Sequence, residues 1–346
     1  MTRIESASDI GHIAARFHTL ARADRNQFES WKSEVIGFQK KRGEVYSRFS
    51  GFTYLPVQAF KEGPICCFNP IDAERVFLSS GSAMASVSRP VAGIGLDTKS
   101  KATTDWGRAK HYVRHLEVYD RAILAGFRQA FGSGPFIVLA HLPHYRPESS
   151  LVYMAQRLME ELGTSGSGFF LEDDAPLVHA IADSISTGTP ILLLGAAFGL
   201  VDLVTSKKYR LPNDSIVIET GGMKTHRREI TREVLHAGLA EGFDVARSAV
   251  RSEYGMCEML SQFYTNERGL FQTPPWVSVE ILDQTDFKTP LGLNKPGVLA
   301  VFDMANLYSQ SAILTQDIAI QRDAGFEILG RLDQSGVRGC NLLLES

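Results

Sequence analysis

The chain has 346 residues, 44% hydrophobic and 22% charged, a balance ordinary for a globular protein long enough for one large or two medium domains. A formal net charge of -3 gives no long-range attraction for nucleic acid or an anionic membrane, and the basic groups Lys40-Lys41-Arg42 and Arg227-Arg228 form no stripe. Four cysteines, with Cys66 and Cys67 adjacent, make neither a disulfide framework nor a zinc-ligand pattern; with no signal-peptide h-region, a reducing cytoplasmic setting is expected. The longest apolar run, Pro190 to Val204, is too short for a membrane span and is broken by Gly195 and Gly199.

Residues from about 5 to 50 carry helical periodicity through Ile10, Ile13, Phe17, Phe28, Trp31 and Val35. Tyr54-Leu55-Pro56-Val57 reads as an extended entry, and Arg75 to Leu78 as a strand running into the small polar turn Ser79-Ser80-Gly81-Ser82. A long helix is expected from Asp105 to Phe131, a buried strand at Phe136–Ala140, a helix at Leu151–Leu162, and a strand then turn at Pro190–Gly195. Ser215–Glu219 reads as a strand ending in Gly221-Gly222, followed by a helix from Arg227 to Ala240. This alternation predicts an α/β domain with a largely parallel sheet. Beyond about residue 245 the runs Val277–Ile281 and Gly297–Val301 lie between Pro/Gly turns and look β-rich and antiparallel. No internal repeat or low-complexity linker divides the chain.

Five segments sit where α/β enzymes place ligands, after the carboxyl ends of strands. The turn Ser79-Ser80-Gly81-Ser82 can cradle phosphate oxygens with hydroxyls and backbone N–H groups, although it is no Walker A loop. In Glu219-Thr220-Gly221-Gly222-Met223-Lys224-Thr225, paired glycines permit close approach of a flat ligand; a plain strand-to-helix turn explains them equally well. In Tyr254-Gly255-Met256-Cys257-Glu258, Tyr254 can stack on a purine and Glu258 can hold Mg²⁺, against ordinary packing as the alternative. Asp317 in Thr315-Gln316-Asp317 can take ribose hydroxyls, and Arg331 in Gly330-Arg331-Leu332-Asp333 can reach the same sugar, against a turn with a salt bridge. None of the nine histidines stands out as a general base; His226, beside Lys224, is the one worth testing, and Phe169, Phe170, Phe198 and Phe263 are candidates for an acyl pocket or for core.

The order of these segments is that of the adenylate-forming superfamily of acyl-CoA synthetases, adenylation domains and luciferases. Within it the chain resembles the LuxE-type acyl-protein synthetases. Four further segments carry that resemblance: Tyr54-Leu55-Pro56-Val57-Gln58-Ala59-Phe60-Lys61; Leu142-Pro143-His144-Tyr145 with Ser149–Met154; Leu194-Gly195-Ala196-Ala197-Phe198-Gly199-Leu200; and Arg338-Gly339-Cys340-Asn341-Leu342. It implies stacked αβαβα sheets and a smaller β-rich subdomain (about 245–329) within a large domain over 1–329, with 330–346 as hinge and short C-terminal segment. It further implies that Ser79, Ser80, Gly81 and Ser82 lie over the ATP phosphates, Gly221 and Gly222 flank adenine, Tyr254 stacks on it, Glu258 binds Mg²⁺, and Asp317 and Arg331 fix the ribose. Asp333 matches the hinge and Cys340 the acyl-accepting thiol. The implied activity is ATP-dependent adenylation of a carboxylic acid of fatty type, then transfer to Cys340 and on to an acyl reductase. A carrier protein, CoA or an amine is the alternative acceptor, with Cys340 then structural; a non-catalytic nucleotide-binding homologue is a further alternative. The sequence departs from the superfamily in its phosphate loop, SSGSAMAS, a change expected either to loosen phosphate handling or to shift it toward Lys224, Arg227 and Arg228. It also has Cys257 where threonine is usual, and no lysine after Lys295.

Overall fold

A computed structural model describes residues 10–20, 24–48, 51–80, 107–221 and 230–332. The sites assigned above to Gly81, Ser82, Gly222, Lys224, His226, Arg227, Arg228, Asp333 and Cys340 lie outside the described residues.

Three helices open the chain: α1 (Gly11–Arg16), α2 (Arg25–Arg42), started by Asp24, whose carboxylate accepts from Gln27 N, and α3 (Glu44–Arg48). Strand β1 (Leu55–Pro56) leads into a 3₁₀ turn over Val57–Lys61, and β2 (Arg75–Leu78) pairs antiparallel with β3 (Lys110–Val113). Then come α4 (Leu116–Phe131), β4 (Ile137–His141), α5 (Ser150–Leu162), β5 (Gly168–Phe170), α6 (Ala175–Thr187), β6 (Ile191–Ala196), α7 (Ala197–Ser206), β7 (Ile216–Thr220) and α8 (Arg232–Phe243). The strands that follow are β8 (Val250–Tyr254), β9 (Phe263–Thr265), β10 (Phe271–Gln272), β11 (Val277–Leu282), β12 (Pro296–Asp303), β13 (Ala312–Arg322) and β14 (Gly325–Arg331).

One discrepancy is local. The helix expected from Asp105 starts at Leu116, and Lys110–Val113 is a strand. Its burial alternates, with His111 and Val113 inward and Lys110 and Tyr112 half-buried, the period of two that a strand with one packed face requires.

The sheet runs β11-β12-β13-β14-β10-β9-β8-β7-β6-β4-β5, with β1 added in parallel to β13. From β5 to β8 all pairs are parallel; from β8 to β11 all are antiparallel. The β-rich part is therefore joined to the α/β part through the antiparallel β8/β9 pair, without a break in hydrogen bonding. Strands β4, β6 and β7 are buried on both faces, which is why their sequences are continuous apolar runs. Val138, Ala140, Leu192, Leu194 and Ile218 face α4 and α5; Ile137, Leu139, Ile191, Leu193 and Val217 face α6, α7 and α8. α5 is started by Ser149, whose hydroxyl accepts from Val152 N, and its stripe Val152, Ala155, Leu158 and Leu162 keeps helical spacing. Each fully buried valine or leucine of that stripe contributes roughly 1.5–3 kcal/mol. Among the described residues no helix is long and apolar enough to cross a membrane.

Candidate active site

Strands β7 and β8 run side by side in parallel, with Thr220 opposite Glu253, so Gly221 and Tyr254 stand together just beyond that pair at the carboxyl ends. Gly221 has φ +85°, a left-handed backbone that favours glycine and turns the chain sharply at the strand end. At Gly255 the constraint is different: a Cβ there would lie 2.5 Å from Glu253 Oε1, so the buried Glu253 side chain would have to shift.

Tyr254 donates from its hydroxyl to Asp317 Oδ2 at 2.7 Å, while its ring stacks on Phe263 at 5.8 Å between centroids. Asp317 and Arg331 are register partners across β13/β14, and Arg331 Nε lies 3.4 Å from Asp317 Oδ1. One carboxylate thus ties the end of β8 to the β13/β14 pair, across 63 residues of chain. Burial pushes the Tyr254 phenol well above its ordinary range, and the Asp317 charge adds to this, so Tyr254 is a donor at neutral pH.

Glu258 follows in the turn after Tyr254 and is 8% exposed. Its carboxyl is pushed up by burial; its own backbone N–H, Arg331 and Lys61 pull it down, and Asp317 pushes it up again. The backbone of this turn is held from behind. Asn306 Nδ2 donates to Glu258 O at 2.8 Å, and His111 Nδ1 donates to Cys257 O at 2.8 Å. His111 is fully buried and its pKa is lowered to about 4 by burial, so the ring is neutral and Nε2 accepts from Ser309 Oγ at 2.8 Å.

The two residues before β3 anchor the start of the predicted phosphate turn. Ser79 N donates to Ala109 O, Ala109 N donates to Ser79 Oγ, and Arg108 Nε donates to Ser79 O at 2.6 Å. Ser79 is half-buried and Ser80 exposed. Arg108 also pulls on the Cys257 thiol electrostatically, although burial dominates and raises that thiol well above its ordinary range. Cys257 is therefore a buried, protonated thiol. Cys66 is likewise pushed up by burial, and Cys67 N donates to Tyr308 O.

Among the described site residues, Tyr254, Asp317 and Arg331 form one cluster in contact, Glu258 lies within its electrostatic reach, and Gly221 stands beside Tyr254. Ser79 is joined to the Glu258 turn through Ala109 and the β3 strand that follows it. Of the pocket candidates, Phe263 is core under Tyr254, Phe170 packs on His141, and Phe169 on His144. Four contributors had no assigned role in the sequence reading: Lys61, Arg108, His111 and Asn306. For Lys61 a signal was present in the Phe60-Lys61 pair. Phe60 meets the His111 ring at 5.7 Å, and β1 runs parallel to β13 just before Thr315–Asp317, so Lys61 enters beside Glu258.

The residues present fit one Mg²⁺. Among the described residues no group of three or more His, Cys, Asp and Glu forms a metal cage, but magnesium at nucleotide sites takes one or two carboxylates plus phosphate oxygens and water. A buried carboxyl pushed up by desolvation, as Glu258 is, is one that a cation stabilises in its charged form.

Comparison with known proteins follows the same line. No curated protein matches the sequence. An open conformation of 2-hydroxyisobutyryl-CoA ligase, solved in complex with 2-HIB-AMP and CoA, is similar over 90% of this chain and 70% of its own, at 10% identity and a TM-score of 0.63. ATP-bound MatB from Rhodopseudomonas palustris aligns over 61% of this chain and 44% of its own (17% identity, TM-score 0.45). The long-chain-fatty-acid-CoA ligase FadD1 from Archaeoglobus fulgidus aligns over 62% and 48% (13%, 0.45). The chain thus spans less than half the length of the last two. By the first of these likenesses the chain has the large-domain fold of adenylate-forming ligases. Residues 164–346, just over half of the sequence, match the family described as acyl-protein synthetase, LuxE, and the chain belongs to that family.

Proposed function

We propose that this protein activates a carboxylic acid with ATP and passes the acyl group to a thiol. The observation that carries the reading is the convergence of Tyr254, Asp317 and Arg331, from three separate strands, beside the buried Glu258. In the first step the acid's carboxylate oxygen attacks the α-phosphorus of ATP. The new O–P bond forms as the bond to the β-phosphate oxygen breaks, and pyrophosphate carries the electron pair away. The protein's task is positioning and charge neutralisation. Asp317 and Arg331 bind the ribose hydroxyls, Tyr254 and Gly221-Gly222 bound the adenine, and Ser79–Ser82 donate to phosphate oxygens. Lys61 and Arg108 supply positive charge on the phosphate side, with Lys224 proposed to join them. Glu258 would hold Mg²⁺, which when bound neutralises phosphate charge.

In the second step a thiolate attacks the carbonyl of the acyl-AMP, and AMP leaves with the pair of the broken C–O bond. We assign that sulfur to Cys340, and an acyl reductase as the next acceptor, with a fatty acid as the acid. The test is carboxylate-dependent ATP–pyrophosphate exchange across acids of graded length, followed by labelling with a radioactive acid. Hydroxylamine-labile label on the wild type but not on Cys340→Ser, with exchange retained in both, is the expected result. Full labelling of Cys340→Ser removes Cys340 and leaves CoA, a carrier protein or an amine as acceptor. Exchange with no acid at all sinks the adenylation reading.

A further inference from the structure

Two adjacent strand ends in the middle of the sheet carry a concentration of buried polar groups. After the apolar Val217 and Ile218, β7 closes on Glu219 and Thr220, which stand in register with Ser252 and Glu253 of β8. All four are buried. Alternation along the strands sends the two register pairs to opposite faces of the sheet.

On the face toward α4, Thr220 Oγ1 donates to Glu253 Oε2. The other oxygen, Oε1, lies against Gly255, where a Cβ would come within 2.5 Å of it. Tyr119 of α4 and Tyr264 of β9, both buried, lie close enough to feel the charge of this carboxyl. On the face toward α8, Arg247 Nη1 donates to His236 Nδ1 at 2.6 Å. A guanidinium only donates, so His236 Nε2 carries the ring proton and donates to Ser252 Oγ at 3.0 Å, and Ser252 Oγ donates in turn to Glu219 Oε1. Such bridges are a weak source of stability, because well-packed apolar side chains of similar volume do as well or better in a dry interior. What a hydrogen bond supplies and apolar contact does not is a fixed direction and separation. Here the bridge joins the last register pair of β7 and β8. Gly221, with its left-handed backbone, follows Thr220 directly, and Tyr254 and Gly255 follow Glu253.

We propose that Thr220 and Glu253 are positioning residues: their bridge, backed through the sheet by the Glu219–Ser252–His236–Arg247 chain, sets the separation of the Gly221 turn from Tyr254 and Gly255. The gap so fixed is the one assigned above to the adenine. Only that occupant rests on the adenylation reading; the brace itself is a property of the ligand-free chain.

The test replaces the bridge by an apolar pair of similar volume, Thr220→Val with Glu253→Met, in the full chain. Three results are expected. Thermal unfolding comes no earlier than in the wild type. Amide hydrogen exchange in the ligand-free protein speeds at least fivefold at Gly221 and Gly255 and stays unchanged in β4 and β6. Calorimetric titration with AMP gives a Kd raised tenfold or more, and in pyrophosphate exchange KM for ATP rises with it while kcat stays within threefold. Glu253→Gln, which keeps an acceptor for Thr220, is expected to restore AMP binding to within threefold of the wild type. Unchanged protection at both turns overturns the proposal, as does a double variant that melts early with faster exchange throughout, which would make the bridge merely structural. If the double variant does not fold, Thr220→Val and Thr220→Ser decide, because only the serine keeps the donor; equal AMP affinity in these two overturns the proposal. A wild type that binds no AMP refutes the nucleotide reading alone, since amide exchange judges the brace without a ligand. Tight AMP binding with protection unmoved by the double substitution refutes the brace alone.

Discussion

Asp317 is the residue on which the Tyr254–Asp317–Arg331 cluster turns, because it accepts from Tyr254 and pairs with Arg331 at once. Replacing it by alanine leaves a buried phenol and a guanidinium without their acceptor. At roughly 1.5–3 kcal/mol for a hydrogen bond to a charged group, the KM for ATP in exchange is expected to rise about 10- to 100-fold, while Asp317→Asn keeps part of the loss. A rise under threefold would separate Asp317 from nucleotide binding. Glu253 makes a second residue-scale prediction. It is fully enclosed, accepts from Thr220 Oγ1, and is raised by burial to about 7, with Glu219 adding to the rise. A carboxyl raised on folding binds its proton more tightly in the native state, so its stabilising contribution is complete below the unfolded pKa of about 4.5 and is lost as pH rises through 7. The unfolding free energy of the wild type, minus that of Glu253→Gln, is expected to fall by about 3 kcal/mol between pH 4.5 and 8. A flat difference in urea titrations across that range would refute it.

At the scale of elements, the β2/β3 pair illustrates what the sequence disclosed and what it hid. Arg75–Leu78 was legible because four consecutive residues favour a strand before a small polar turn. Its partner was not: Lys110–Val113 is short, polar on alternate positions, and followed by the strong helical stripe of α4, which swallowed it. The parallel strands β4, β6 and β7 were legible from their unbroken apolar runs, whereas the direct junction of β8 with β9 depends on long-range pairing that no local pattern records. The same limit hid His111. Its role exists only because β3 lies against the Cys257 turn, 146 residues away. His111→Ala removes two buried hydrogen bonds and is expected to cost about 3 kcal/mol in urea unfolding and to lower exchange, since the Glu258 turn loses its anchor. The histidine also sets a pH window. A base lowered on folding to about 4 destabilises as pH falls from 6.5 through 4, where the unfolded chain takes up the proton and the native one resists it. His111→Asn should flatten that part of the stability profile; an unchanged acid limb would show that other groups govern it.

Over the whole molecule, the site depends on chain that the family match does not reach. Gln39, on α2, is fully buried. Its Nε2 donates to Asn306 O, Leu307 O and Ser311 Oγ, and its Oε1 accepts from Ser311 N. The segment it holds contains Asn306, which donates to Glu258 O, and Ser309, which meets His111. An N-terminal helix is thereby wired through one loop to the backbone that carries Glu258. Gln39→Ala strands an amide and two carbonyls in a dry interior, so a loss of about 2–4 kcal/mol is expected in urea unfolding. If the loop transmits the damage, kcat in exchange falls as well, with KM for ATP nearly unchanged, because the Tyr254–Asp317–Arg331 cluster is anchored on β8, β13 and β14 instead. A Gln39→Ala protein that is less stable but exchanges at the wild-type rate would confine α2 to holding the fold.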